Sequence, residues 1–176
     1  MMLPAPAGSP YRVSMVCLGN ICRSPMAAPV LHRRVEDAGL GEHIRVDSGG
    51  TGSWLVGDAA DPRARDALSR RGYDGRSHRA RQVSPPLFED DDLLLVMDDD
   101  YLRTMRRLAP DRDAAERVML LRTFDPTAEP TGERSVPDPY YGDEADFDAG
   151  LDIIERCVNG LLPVLRARVE GSESDR

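Results

Sequence analysis

The sequence contains no lysine, and all 23 of its basic residues are arginine. We interpret this absence as a coding bias, since alanine, glycine and aspartate are abundant. The arginines are also outnumbered, because 31 acidic residues give the chain a net charge of −8. A surplus of negative charge repels phosphate backbones and anionic lipids. The composition therefore argues against nucleic acid and against membranes as general partners.

Long apolar segments are missing as well. No run approaches the ~20 apolar residues that a helix needs to span a bilayer, so no transmembrane segment is predicted. Residues 1–10 are rich in alanine, proline and glycine but lack the basic start and apolar core of a signal peptide. We interpret them as a short disordered leader, and residues 169–176 as a flexible tail. The expected compartment is the cytoplasm, with export independent of a signal peptide left open.

Cysteine is scarce, with only Cys17, Cys22 and Cys157. An odd number of cysteines does not predict a disulfide framework, and the sequence has neither a Cys-x-x-Cys pair nor a zinc-type cluster of cysteine and histidine. The acidic runs at 89–92 and 98–100 lack the glycine of a calcium-binding loop. The sequence therefore predicts no metal and no cofactor. It leaves at least one thiol free for chemistry, while Cys157, near the apolar side of a predicted helix, is expected in the core.

Apolar strands alternate with amphipathic helices along residues 11–168, which we expect to form one domain. This alternation is typical of an α/β fold with a parallel sheet. We predict a three-layer sandwich in which a central four-stranded parallel sheet is flanked by helices. The predicted strands cover 11–16, 43–47, 93–97 and 118–121, and helices are expected from 24, 61, 98 and about 143. Pro29 is expected to distort the first helix, and the length of segment 122–142 is typical of a functional or disordered loop.

The most informative segment joins the first strand to the first helix. The apolar run Val13 to Val16 ends directly before Cys17, and Arg23, Ser24 and Pro25 follow. Serine before proline is typical of a helix N-cap with proline at the first helical position. A strand, a tight loop and a helix in this order can cradle an anion. Since parallel sheets bind ligands at the carboxyl ends of their strands, we expect a phosphate-binding loop here.

The side chains of this loop suit the attack of sulfur on phosphorus. Backbone N–H groups and a helix N-terminus supply positive potential, which favours the nucleophilic thiolate of Cys17 and also a dianionic phosphate. Gly19 permits the tight turn, and Arg23 offers a planar fork that can hold two phosphate oxygens. The Ser24 hydroxyl can donate to the Cys17 sulfur. Asn20 tolerates left-handed backbone angles and can fix the loop through side-chain hydrogen bonds.

The sequence from Cys17 to Pro25, CLGNICRSP, resembles the signature of the low-molecular-weight protein tyrosine phosphatases of bacterial type. A second match, DPYYG at Asp138–Gly142, is similar to the general-acid loop of that family. Asp47–Thr51, the only tryptophan, Trp54, and His78–Gln82 also resemble the family. The matches occur in the family's order, and the resemblance spans roughly residues 12 to 165.

The resemblance implies a metal-independent, cysteine-dependent hydrolase of phosphoric monoesters. Cys17 would attack phosphorus and form a phosphocysteine, while Asp138 protonates the departing tyrosine oxygen. Asp138 would then act as the base for the water that hydrolyses this intermediate. Arg23 and the loop amides would hold the equatorial oxygens. The implied partners are phosphotyrosine-containing proteins, with phosphate or a similar oxyanion in the site. A monomer is expected, with a weak dimer as the alternative.

Further residues receive supporting roles from the resemblance. The phosphate-binding loop would comprise Leu18, Gly19, Asn20, Ile21, Cys22 and Ser24. A hydrogen-bond network would orient it through Asn20, Ser24, Ser48 and His78. A slot deep enough for a phosphotyrosyl ring would be lined by Leu18, Ile21, Trp54, Tyr140 and Tyr141. Cys22 would either fill space beside the loop or form a reversible disulfide with Cys17 under oxidation.

Two other functions compete with this interpretation. A thiol-dependent arsenate reductase of the same architecture would need further cysteines to pass electrons onward through disulfides. The expected cysteine pair in the middle of the chain is missing, and only Cys157 follows the loop. A non-catalytic phosphopeptide-binding module would retain Arg23 but would not require Cys17 and Asp138 together. The residues favour the phosphatase.

Overall fold

A four-stranded parallel sheet forms the centre of the structure, a computed structural model that describes residues 3–84, 86–128 and 131–173. The strands are β1 (Tyr11–Cys17), β2 (Ile44–Gly50), β3 (Leu93–Val96) and β4 (Val118–Leu120). They lie in the order β2-β1-β3-β4, and each neighbouring pair is parallel. The predicted α/β sandwich with a central parallel sheet is confirmed. Because β1 lies inside the sheet, the loop that follows it emerges at the middle of the carboxyl edge.

Helices cover both faces of this sheet. They are α1 (Arg23–Asp37), α2 (Pro62–Arg70), α3 (Pro86–Asp90), α4 (Asp99–Leu108), α5 (Arg112–Glu116) and α6 (Glu144–Glu173), with a 3₁₀ turn at Leu121–Phe124. The sequence pattern did not predict α3 and α5, because five residues are too few for a helical period to show. Among the described helices, none is long and apolar enough to cross a membrane.

The strand β3 shows why the sheet needs helices on both sides. All four of its residues are fully buried. Leu93 and Leu95 pack into the core formed with α1, α2 and α6, whereas Leu94 and Val96 pack into the core formed with α4 and α5. An apolar strand without alternation is what a parallel sheet covered on both faces requires. The carboxyl end of β3 therefore lies beside the loop after β1, and this proximity shapes the site.

The ends of the chain differ from the sequence-based expectation. Leu3 is buried in the main core, and the Pro4 carbonyl accepts hydrogen bonds from the Tyr11 hydroxyl (3.2 Å) and from Arg168 Nε (2.8 Å). Leu3 and Pro4 thus make defined contacts, although residues 1–10 were expected to form a disordered leader. The last helix continues beyond residue 168, because Val169 is still buried against the core. Residues 1–2 of the leader and 174–176 of the tail lie outside the described residues.

The start of α1 corrects the predicted cap. Cys22 is the N-cap and Arg23 the first helical residue, so Ser24 lies inside the helix and not at its cap. No side chain caps this terminus, which leaves backbone N–H groups available for a ligand. Ser24 does not cap the helix, because its hydroxyl forms hydrogen bonds with the side chains of Cys17 and Asn20. Pro29 lies within α1, and the helix continues past it to Asp37.

Candidate active site

Residues 18–22 join β1 to α1, and their path depends on two unusual backbone positions. Asn20 has φ of 56°, in the left-handed region that asparagine tolerates better than most residues. Gly50, at the end of β2, lies directly against the loop. A Cβ atom at Gly50 would be 2.5 Å from the Leu18 carbonyl oxygen and 3.0 Å from the Asn20 nitrogen. Two backbone hydrogen bonds continue this close packing, from Thr51 N to Cys17 O (3.0 Å) and from Gly52 N to Leu18 O (2.9 Å).

Replacing Gly50 by alanine is expected to push the loop away from β2. The added methyl group meets backbone atoms, which cannot rotate aside, so we expect a loss of about 1–3 kcal/mol in the free energy of unfolding. Oxyanion binding should weaken as well, because the loop amides move. Urea unfolding and titration with tungstate measure the two effects. Gly171→Ala is the control, since a Cβ there meets nothing within 4 Å; equal stability of the two variants would contradict the close approach.

A buried network of polar side chains holds the loop against β2. The Cys17 Sγ and Ser24 Oγ atoms are 3.0 Å apart, and Asn20 Nδ2 donates to Ser24 Oγ (2.8 Å) and Ser48 Oγ (3.0 Å). The Ser24 hydroxyl has one proton, and its acceptors in reach are the Cys17 sulfur and the Gly49 carbonyl (3.3 Å). A thiolate is the stronger acceptor, so the Ser24 hydroxyl would donate its hydrogen bond to an ionised Cys17. The four residues Cys17, Asn20, Ser24 and Ser48 are therefore brought together.

His78 supports the same loop from the other side. Its Nε2 atom is 2.7 Å from the Asn20 carbonyl oxygen. Burial is the main reason why the pKa of His78 lies below its ordinary value, and Arg81 and Arg79 lower it further. The ring is thus neutral at neutral pH, and its Nε2–H donates to Asn20 O. Arg81 completes the support, because its backbone N–H donates to Asn20 Oδ1 (3.0 Å).

Arg23 lies under the cleft and is almost fully buried, with 3% of its surface exposed. Its Nη1 donates to Asp98 Oδ2 (2.8 Å) and to the Val136 carbonyl (3.2 Å), and its Nη2 donates to Asp138 Oδ2 (2.9 Å). The ring of Tyr101 lies over the guanidinium at 5.3 Å. Burial alone would lower the pKa of Arg23, but the two carboxylates outweigh it and raise the pKa above its ordinary value. The side chain is therefore fixed and cationic before any ligand binds.

Asp98 and Tyr101 are site residues that the sequence reasoning missed. Asp98 was interpreted only as the cap of α4, and its Oδ1 does accept from the backbone N–H groups of Asp100 and Tyr101 (both 3.0 Å). Its other oxygen binds Arg23. The parallel order of the strands could have predicted that Asp98 lies near the loop, since residues shortly after β3 must lie near residues shortly after β1.

An open cleft of about 340 Å³ lies above the loop. Cys17, Arg23 and Asp138 all line it, although Asp138 comes from a segment 115 positions beyond Arg23. All five residues predicted for the substrate slot also line it: Leu18, Ile21, Trp54, Tyr140 and Tyr141. Trp54 is 66% exposed and Tyr141 98% exposed, so they form a rim and not part of the core. Leu55, which was not assigned to the slot, also lines the cleft and lies against Gly19.

The other two cysteines differ from Cys17 in their surroundings. Burial, with the carboxylates of Asp61 and Asp138 adding to it, raises the pKa of Cys22 to about 12. Cys157 is fully buried in α6, where burial raises its pKa to about 12 as well, so its predicted core position is confirmed. All three cysteines are free thiols, and the disulfide between Cys17 and Cys22 stays a prediction.

Comparison with known proteins shows the family of this chain. The family model of the low molecular weight phosphotyrosine protein phosphatases matches residues 12–171. The low molecular weight protein-tyrosine-phosphatase of Streptomyces coelicolor is 49% identical over 161 residues, covering 92% of this chain and 97% of that protein. The low molecular weight protein-tyrosine phosphatase A of Mycobacterium tuberculosis is 43% identical over 152 residues, covering 86% and 90%.

A solved structure gives the same assignment. The crystal structure of protein tyrosine phosphatase from Entamoeba histolytica, with Hepes in the active site, superposes with a TM-score of 0.83 at 33% identity. The match covers 92% of this chain and 99% of that one. The predicted family is confirmed, and the chain belongs to the low molecular weight phosphotyrosine protein phosphatases, which are cysteine-based hydrolases.

Proposed function

We propose that the chain hydrolyses phosphotyrosine in proteins, and small aryl phosphates, through a phosphocysteine on Cys17. One observation carries this proposal: Arg23 and Asp138 are bonded to each other across a cleft that Cys17 also lines. A nucleophile, an anion-binding fork and a proton donor are thus within reach of one phosphate group. The slot beside them suits an aryl ring, because its rim consists largely of apolar and aromatic side chains.

In the first step, the Cys17 sulfur attacks phosphorus as the bond from phosphorus to the aryl oxygen breaks. Asp138 gives its proton to that oxygen, so the leaving group departs as a neutral phenol. Arg23 and the backbone N–H groups at the start of α1 stabilise the equatorial oxygens in the transition state. The Ser24 hydroxyl, 3.0 Å from the sulfur, stabilises the thiolate before attack and when it leaves again.

Substrate binding itself prepares Asp138 for this role. The carboxylate of Asp138 accepts a hydrogen bond from Nη2 of Arg23 (2.9 Å). A phosphate dianion needs the same fork and displaces the carboxylate from it. Asp138 is then released from Arg23 and can face the leaving-group oxygen, where a general acid must lie.

In the second step, water attacks the phosphocysteine and the bond between sulfur and phosphorus breaks. Asp138, now a carboxylate, takes a proton from this water, so the products are phosphate and the Cys17 thiolate. Arg23 and the loop hold the phosphoryl group as before. Asp138 is then protonated and Cys17 is a thiolate, which are the states that the first step requires.

The surroundings of Cys157 separate this mechanism from that of an arsenate reductase. Beyond Cys17 and Cys22, a disulfide cascade requires a third thiol that can reach them and pass the electrons onward. Cys157 is fully buried among core residues of α6. The phosphatase reaction requires no such relay, because water regenerates Cys17.

We also propose that the protein acts in the cytoplasm as a monomer on phosphorylated proteins. Three free cysteines, two of them buried with raised pKa values, fit a reducing compartment. The net charge of −8 opposes binding to anionic membranes and nucleic acid.

Replacing Asp138 by alanine tests the role of the general acid. We expect kcat/KM to fall about 100-fold for phenyl phosphate, whose leaving group needs a proton. The loss should be small for 2,4-dinitrophenyl phosphate, whose leaving group departs as a stable anion. The measurement uses kcat/KM because this constant reports the steps up to cleavage of the ester and not the later hydrolysis of the intermediate. Equal losses for both esters would contradict the assignment.

A further inference from the structure

Arg63 connects the phosphate-binding loop to the segment that carries Asp138. It is not among the residues that line the cleft. It lies at the second position of α2. Its Nη1 donates to the Gly142 carbonyl (2.7 Å), and its Nη2 donates to the Tyr140 carbonyl (3.0 Å). These two carbonyls come two and four residues after Asp138. One guanidinium therefore holds the segment that carries the proposed proton donor.

The guanidinium of Arg63 is itself rigidly held. Asp61 Oδ1 accepts from the Arg63 backbone N–H (2.9 Å) and from Nε (3.0 Å), and Asp61 Oδ2 accepts from Nη2 (2.8 Å). The planar group lies over the ring of Phe147 at 4.6 Å, and that ring is fully buried in the core. A fork that is bonded on one edge and stacked on one face loses little freedom when it binds two more carbonyls.

Asp61 extends this connection to the phosphate-binding loop. Its backbone N–H donates to the Ile21 carbonyl (2.8 Å). Hydrogen bonds therefore run from the loop beside Cys17, through Asp61 and Arg63, to the segment after Asp138. Both ends of the path are backbone groups, so the path fixes the distance between the two segments and not only the rotamer of one side chain.

The segment before Asp138 has a separate attachment. Val136 N donates to the carbonyl of Met97 (2.7 Å), the residue directly after β3. Asp138 is thus held from both sides, and its own carboxylate bonds to Arg23 and to the Tyr140 N–H (3.2 Å). When a phosphate binds Arg23, the hydrogen bond between Arg23 and Asp138 is lost. The contacts of Arg63 do not involve Arg23 or the phosphate, so they persist at the moment when the proton is transferred.

We infer that Arg63 is a positioning residue for the general acid: it holds Asp138 at the leaving-group oxygen after the substrate has displaced Asp138 from Arg23. The inference rests on the proposed role of Asp138. A displacement of about 1 Å in a catalytic group can cost about 100-fold in rate. Loss of Arg63 should therefore slow those reactions that need the proton, and spare those that do not.

The test compares Arg63→Met with wild type on two esters. Methionine keeps an unbranched apolar stem against Phe147 but removes the hydrogen bonds. We expect kcat/KM to fall about 10- to 100-fold for phenyl phosphate and by less than about twofold for 2,4-dinitrophenyl phosphate. A role confined to stability would lower both values alike. If Arg63→Met does not fold, Arg63→Lys retains the charge and the stem, and the same difference between the esters is expected with a smaller amplitude.

Arg76 provides a matched control within the same chain. Its backbone N–H and Nε donate to Asp74 Oδ1, and its Nη2 donates to Asp74 Oδ2, all at 3.0 Å. This is the same arrangement that Arg63 makes with Asp61, but Arg76 is 86% exposed. Arg76→Met is therefore expected to keep both kcat/KM values within about twofold of wild type.

Asp138→Ala, measured alongside, separates failure of the inference from failure of the proposed function. If Asp138→Ala discriminates between the esters and Arg63→Met does not, the inference about Arg63 is overturned while the proposed function stands. If wild type hydrolyses neither ester, or Asp138→Ala slows both equally, the proposed function fails, and the role of Arg63 fails with it. Discrimination by both variants, with Arg76→Met unchanged, is the result that the inference predicts.

Discussion

Cys17→Ser is expected to lower turnover of aryl phosphates by about 10⁴-fold or more while the protein still binds oxyanions. A hydroxyl group stays protonated where a thiol can ionise, so the variant lacks a competent nucleophile. The binding groups remain in place, because Arg23 is held by Asp98, Asp138 and the Val136 carbonyl and not by Cys17. Steady-state hydrolysis of phenyl phosphate measures the first effect, and titration with tungstate measures the second.

Cys22→Ser is the matched control for this prediction. Cys22 also lines the cleft, but burial raises its pKa to about 12, so its thiol is protonated at neutral pH. We expect a far smaller loss of turnover than for Cys17→Ser. Full activity of Cys17→Ser, or equal losses for the two variants, would show that Cys17 is not the nucleophile.

Arg23→Lys is expected to reduce kcat/KM by about 10³-fold and to weaken oxyanion binding as well. Lysine keeps the positive charge but presents one ammonium group in place of a planar fork. It cannot bind Asp98 and the Val136 carbonyl while also holding two phosphate oxygens. The combined loss of binding and turnover distinguishes Arg23 from Cys17, whose replacement should spare binding. Kinetics with phenyl phosphate and titration with tungstate measure the two quantities.

Arg33→Lys serves as the control for the change from arginine to lysine. Arg33 is exposed on α1 and pairs with Asp37 four residues later, an arrangement of little energetic weight. We expect both quantities to stay within about twofold of wild type. If Arg23→Lys behaved in the same way, charge alone would suffice at this position and the bidentate geometry would be irrelevant.

The parts of the fold that follow from short-range patterns were predictable from the sequence. The continuous apolar run at 93–97 predicted a buried strand, and β3 is buried on both faces. Asp61 before Pro62 predicted the start of α2, and Asp61 does accept from the Arg63 N–H. The string CLGNICRSP indicated the family before any geometry was known. These signals are local, since they depend on capping, on periodicity or on one contiguous motif.

The missed features depend on residues that are distant in the sequence or serve two functions. Ser24 has the sequence context of an N-cap, but its hydroxyl is bonded to Asn20 and faces the Cys17 sulfur. Asp98 caps α4 with one oxygen and binds Arg23 with the other. Arg63 meets Gly142 across 79 positions. No periodicity marks such contacts, because the folded sheet and the packing of α2 against α6 bring the partners together.

The most direct test of the proposed mechanism is to find where phosphate resides during turnover. Wild type is mixed with ³²P-labelled phosphotyrosine, quenched in acid within milliseconds, digested and analysed by mass spectrometry. We predict that the label is attached to the sulfur of Cys17, in an amount approaching one phosphate per protein, and that Asp138→Ala retains it longer because its base is missing. Label on another residue, or rapid turnover without any labelled protein, would contradict the phosphocysteine intermediate.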